Sequence, residues 1–163
     1  MAVLPILVAP DARLRGRAAE VADASSVAAL LDDMVETMRA ARGVGLAAPQ
    51  IGVDLRLIVV DPGGEAPPLR MVNPEIVWAS DEVEDGREGC LSIPGQSAQL
   101  ARPGRVRVRW READGAEREA EADGRLARAL QHEIDHLDGR LYVDRLSALK
   151  RDMILRKLAK SRR

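Results

Sequence analysis

Apolar residues recur along this chain in two rhythms. Val27, Leu30, Leu31, Met34, Val35 and Met38 fall at helical spacing, with Asp32, Asp33, Glu36 and Arg39 between them. That spacing predicts a helix from Ser25 or Ser26, whose hydroxyls can cap its free N–H groups, to an end at Gly43. A second apolar stripe, Leu126, Leu130, Ile134 and Leu137, predicts a helix from an N-cap at Asp123 to a stop at Gly139. A third helix is expected from about Ser147, with Leu149, Met153, Leu155 and Leu158 interleaved with charge.

The other rhythm has period two. Arg105–Arg111 alternates Val106, Val108 and Trp110 with arginines, the pattern of a half-buried strand. Asp114-Gly115 is a hairpin turn signal, and Glu117–Ala122 is expected to return with cross-strand Arg/Glu pairing. Leu55–Asp61 reads as a buried strand, and Met71–Ala79 as another, entered through Asn73-Pro74. Residues 3–8, broken by Pro5, suggest an extended edge segment, and Asp11 a cap for a short turn that includes Leu14. Gly43–Gln50 is too rich in small residues for a stable helix and has too little side chain for a core strand. Its glycines instead let the backbone pass close to another object. Residues 80–89 are polar and acidic, and Cys90 follows outside any regular pattern.

Composition adds bounds. The 163 residues suit one domain, 1–163, and contain no Phe, so Leu, Val, Ile, Met and Ala must pack the core. A net charge of −1 supplies no global field for DNA or an anionic membrane. One cysteine excludes an intramolecular disulfide and suits a reducing cytoplasm. The first residues lack the basic start of a signal peptide, and no apolar run reaches membrane-spanning length.

The chemistry concentrates in Gln131–Gly139, which holds both histidines of the chain, four positions apart, with Glu133 beside the first. On a helix His132 and His136 share a face one turn apart, an arrangement that binds a metal ion and offers Glu133 as general base. A catalytic site usually has three protein ligands and an open position. Cys90 is the natural third, since a thiolate is a strong donor to a borderline divalent cation. Two His and one Cys with a water point to metal-assisted hydrolysis. Gln50 and a backbone N–H just after Cys90 are suitable oxyanion donors. An endopeptidase built on the same helix expects its third ligand downstream. A structural zinc expects four protein ligands.

Gly43–Gln50, Glu88–Ser92 and Gln131–Gly139 together resemble the three signature motifs of the peptide deformylase family, in order and with ordinary spacing. Leu141–Leu146 extends the likeness, and the short connection around Pro62–Pro68 resembles the compact bacterial type. The resemblance implies an α+β fold with small, mainly antiparallel sheets packed around the central helix, flanked by an N-terminal and a C-terminal helix. It implies a cytoplasmic hydrolase that removes the formyl group from formyl-methionyl nascent peptides. One ion, natively Fe²⁺, with Zn²⁺, Ni²⁺ or Co²⁺ able to replace it, would sit on Cys90, His132 and His136. A metal-bound water would attack, with Glu133 as general acid/base. The Leu91 N–H and the Gln50 amide would hold the oxyanion. Val44, Gly45, Glu88, Gly89, Arg125 and Ala129 would contact substrate.

Two positions depart from the family pattern. Arg125 stands where many relatives carry an apolar residue lining the methionine pocket, and Ser97 where several carry a larger one. Residues 145–163 hold eight basic residues and one acid, Asp152. On the resemblance, this basic helical tail (about 147–163) would dock on ribosomal RNA.

Overall fold

The computed structural model describes residues 1–162. Three helices, α1 (Ala28–Ala40), α2 (Gly124–Leu137) and α3 (Ala148–Ser161), combine with seven strands. The strands are β1 (Gly45–Ala47), β2 (Leu57–Val60), β3 (Leu69–Ala79), β4 (Val83–Cys90), β5 (Ile93–Pro103), β6 (Arg105–Arg111) and β7 (Glu117–Asp123). They form an antiparallel five-stranded sheet, ordered β1-β2-β3-β6-β7, and a separate β4-β5 hairpin. This is the expected α+β class.

The continuous apolar run of β2 is explained by burial on both faces. Ile58 and Val60 pack with Leu130, Ile134 and Leu137 of α2. Leu57 and Val59 pack with Leu31, Met34, Val35 and Met38 of α1. The large sheet therefore lies between two helices. In β6 only one face is covered: Val106, Val108 and Trp110 are buried, while Arg105, Arg107, Arg109 and Arg111 pair in solvent with Glu121, Glu119 and Glu117 of β7. The β4-β5 hairpin builds a third apolar cluster, where Ile93 and Leu100 meet Leu141, Tyr142, Val143 and Leu158.

Several local expectations are corrected. The cap before α1 is Asp23, which accepts from the Ser25 N–H and hydroxyl and starts a 3₁₀ turn, Ala24–Val27. That helix ends in a Schellman motif whose left-handed residue is Arg42 (φ 56°), one position before the expected Gly43. Gly43–Gln50 contains a core strand after all. β1 is wholly buried, because α2 passes so close that small residues are what fits there. Asn73, also left-handed (φ 51°), sits in a bulge inside β3 rather than at its entrance. It is held there by a reciprocal pair of hydrogen bonds with the Val21 backbone. Residues 3–8 form no strand, although the Leu7 N–H donates to Gln50 O. Residues 83–103 form two long strands that the sequence rhythm does not reveal. On α3, Leu149 and Met153 are exposed, and Ile154, Leu155 and Leu158 make the contact.

Asp123 occupies the N-cap position of α2 without a side-chain hydrogen bond. Its C-terminus is more tightly specified: the Gly139 N–H donates to His136 O and the Arg140 N–H to Asp135 O. Gly139 has φ 76°, and a Cβ there would lie 2.4 Å from the Arg15 carbonyl oxygen. Gly139→Ala should therefore cost roughly 1–3 kcal/mol or more from backbone strain alone, read as a lower chemical-denaturation midpoint. A variant as stable as the parent would contradict this account of how α2 ends.

Candidate metal centre

Helix α2 sets His132 and His136 on one face, with ring centroids 5.1 Å apart. Cys90, the last residue of β4, reaches them from the hairpin, so it stands at a strand end rather than outside regular structure. One ligand atom from each of the three lies within 4.8 Å of the others, and Cys90 Sγ is 3.4 Å from His136 Nε2.

Glu88 governs the orientation of His132. Its Oε1 is 2.8 Å from His132 Nδ1, which donates and leaves Nε2 for a ligand. The same carboxylate receives Arg102 through Nε and Nη2 and Arg128 through Nη1. Arg102, 1% exposed, also reaches Asp135 of α2 (3.0 Å), which Arg145 grips from its other side. Burial alone would raise the Glu88 pKa. Hydrogen bonds from His132 and Arg102 outweigh it and hold the carboxyl well below the usual range. Asp135 behaves likewise through Arg145 and Arg102. Glu88, expected among the substrate contacts, thus turns its oxygens to His132 and two arginines. The role of Arg102 is not legible in the sequence, because an arginine in a segment without alternation carries no signal of being buried.

Glu133 lies 4% exposed beside the histidines, and its buried Oε1 has no hydrogen-bond partner. Burial pushes its carboxyl up to about 7. Strand β1 passes directly over it, and a Cβ on Gly45 would come within 2.5 Å of Glu133 Oε2. This is the close approach that the glycines of Gly43–Gln50 require. The Gln50 side chain is fixed by the Ala47 N–H on its oxygen (2.9 Å) and by donation to Ser92 Oγ (3.1 Å). Its amide nitrogen faces Cys90 Sγ at 3.7 Å.

The donor set fits a divalent ion. His136 is held neutral by burial and by the charges of His132 and Arg102, as a ligand must be. At His132 burial is outweighed by the charge of Glu133 and by contacts with Cys90 and Glu88, which favour positive charge at that point. A metal ion can supply that charge in place of a proton. Cys90 and His132 line a cavity of about 730 Å³ together with Gln50 and Glu133, and His136, 1% exposed, lies beside them within the cluster. Val44, Gly45, Gly89, Leu91, Arg125 and Ala129 line the same cavity, whereas Ser97 is exposed outside it and accepts from Arg87 (2.7 Å).

Residues 3–152 match the family described as polypeptide deformylase. The chain belongs to the polypeptide deformylase family. A peptide deformylase of Methylocella silvestris is 51% identical, with 99% of this chain and 86% of that protein aligned. One from Bartonella tribocorum is 48% identical over 98% and 93%. Among solved structures, the peptide deformylase of Ehrlichia chaffeensis in complex with actinonin superposes with a TM-score of 0.94. It is 43% identical and covers 100% of this chain and 99% of its own. The family is the one suggested by the three sequence motifs, and it accounts for a Cys-His-His cluster facing an unpartnered glutamate.

Because Arg102 alone separates the Glu88 and Asp135 carboxylates in the interior, Arg102→Ala should destabilise the fold by about 3–5 kcal/mol. It should also weaken metal binding, since Glu88 then keeps only Arg128 of its two arginine partners to hold it against His132. Denaturant unfolding and a metal-binding titration measure the two effects. Parent-like values in both would refute the linkage.

Proposed function

We propose that this chain, acting as one catalytic domain in the cytoplasm, hydrolyses the N-terminal formyl group of formyl-methionyl nascent peptides. The reaction breaks the formyl C–N bond, adds water across it, and yields formate and a free amine. The observation that carries the reading is the buried, unpartnered oxygen of Glu133 next to the Cys90, His132 and His136 donors. Those three side chains would hold one ion, natively Fe²⁺ with Zn²⁺, Ni²⁺ or Co²⁺ able to replace it; thiolate and imidazole donors suit each of these metals. When bound, the ion supplies a Lewis acid that acidifies water and polarises a carbonyl.

The protein's own groups do the rest. Glu133, with its pKa raised to about 7, is matched to taking a proton from water and returning it to the departing nitrogen. The Gln50 amide nitrogen and the Leu91 N–H serve as oxyanion donors, and Gln50 is preorganised by Ala47 and Ser92. β1 ends the five-stranded sheet, so the edge of Val44 and Gly45 away from β2 can pair with a peptide as an added strand. Gly45 and Leu91 crowd the reacting centre, which suits a formyl carbon bearing only hydrogen. Gly89 and Ala129 line the cavity that receives the methionine side chain.

Anaerobically prepared Fe²⁺ protein should release formate from formyl-Met-Ala-Ser. Glu133→Ala should keep its metal yet lose at least about a hundredfold in kcat. Full activity in that variant would break the mechanism.

We also propose that α3 docks on ribosomal RNA. Lys150, Arg156, Lys157 and Lys160 are exposed on it, and its Leu158 anchors the helix to the body. The expected tail includes Arg163, which lies outside the described residues. Replacing Lys150, Lys157 and Lys160 by Glu should weaken co-sedimentation with ribosomes and flatten its salt dependence. Unchanged co-sedimentation at every salt concentration would remove the idea.

A further inference from the structure

The mouth of the catalytic cavity is ringed by guanidinium groups that the reaction does not use. Arg42 comes from the end of α1, Arg87 from β4 and Arg125 from the first turn of α2; all three are exposed, and all three line the cavity. Among the described residues, Arg42 and Arg125 have no ion-pair partner, and Arg87 gives one hydrogen bond to Ser97 Oγ (2.7 Å). The acids lining the same cavity do not neutralise them. Glu88 is committed to His132, Arg102 and Arg128. Glu133 is buried at the floor. Asp61 is the single exposed acid of the lining, and its Oδ1 accepts from the Gly63 N–H.

Two of these arginines occupy positions that local energetics disfavours. Arg42 takes a left-handed backbone conformation (φ 56°) that glycine adopts more easily. Arg125 places a cation at the positive end of the α2 dipole, and Arg128 stands three positions further along the same helix. Neither position is explained by packing or pairing. Each projects positive charge toward one opening.

Resting on the deformylase reading above, we propose that Arg42, Arg87 and Arg125 select formylated peptides that carry an acidic side chain shortly after the methionine. The formyl end has no charge and goes to the floor. The chain then leaves along β1, at about 3.3 Å per residue for an extended strand. The second to fourth residues therefore pass the rim. A carboxylate there meets three guanidinium groups from three separate elements, and a lysine meets like charge. The groups are solvated, so each pairing alters binding by no more than about fivefold. The preference appears in KM more than in kcat, and salt screens it.

The test is a set of C-terminally amidated formyl-Met-Ala-Xaa-Ser peptides with Xaa as Asp, Asn or Lys, assayed with Fe²⁺ enzyme at 20 mM and 500 mM salt. Amidation leaves the Xaa side chain as the one possible carboxylate. The expected order in kcat/KM at low salt is Asp over Asn over Lys, with about three- to tenfold between Asp and Asn, carried by KM and collapsing at high salt. In the combined Arg42→Gln, Arg87→Gln, Arg125→Gln variant the Asp/Asn ratio should fall toward one. Equal kcat/KM for Asp and Asn in the parent at low salt overturns the inference while leaving the deformylase reading in place. Failure to release formate from the Asn peptide overturns that reading, and the inference with it.

Discussion

The candidate metal centre depends on a buried ion-pair chain that ties the β4-β5 hairpin to helix α2. Arg102 of β5 lies between Glu88 of β4 and Asp135 of α2 and bonds both. Cys90 is two residues beyond Glu88, and His132 and His136 flank Asp135. The same guanidinium that joins the carboxylates therefore brings the Cys90 sulfur to the imidazoles. Breaking such a pair leaves an uncompensated charge in the interior, so the arrangement resists partial loss. Glu88 then does a second task, because its free lone pairs orient His132.

Around this lock, opposed demands are met by neighbouring residues. Glu88 and Glu133 are both buried carboxylates near the same histidines. Hydrogen bonds from His132 and Arg102 keep Glu88 ionised against its burial, whereas burial raises the Glu133 carboxyl to about 7. Two environments thus give the two carboxylates different charge states, as their proposed roles of support and proton transfer require. The glycine at position 45 is part of the same economy of space, since any side chain there would collide with Glu133.

Much of this was legible in the sequence where one face of an element is buried and the other is not. The β6 alternation and the α1 and α2 stripes followed from that asymmetry, and the His-Glu-x-x-His spacing followed from helix geometry. The catalytic candidates Gln50, Leu91 and Glu133 and the ligand candidate Cys90 do line one cavity. What failed has physical causes. β1 is a core strand because Gly45 and Ala47 fit beneath α2 while Leu46 packs on the α1 side, a fact of tertiary packing rather than propensity. β5 alternates in burial from Gln96 to Arg102, but its inward positions include a glutamine and an arginine, and β4 is mostly exposed, so neither shows a hydrophobic alternation that marks a strand. Arg102 was invisible because a buried arginine is defined by its partners. Asp23 was passed over for the serines it caps.

The central claim is that hairpin and helix are locked so that three side chains converge on one ion. X-ray absorption at the metal edge of the Fe²⁺-loaded protein tests it most directly. The account predicts one ion per chain with one sulfur ligand and two imidazole nitrogens in its inner shell. A shell without sulfur, in protein that still releases formate, would contradict it.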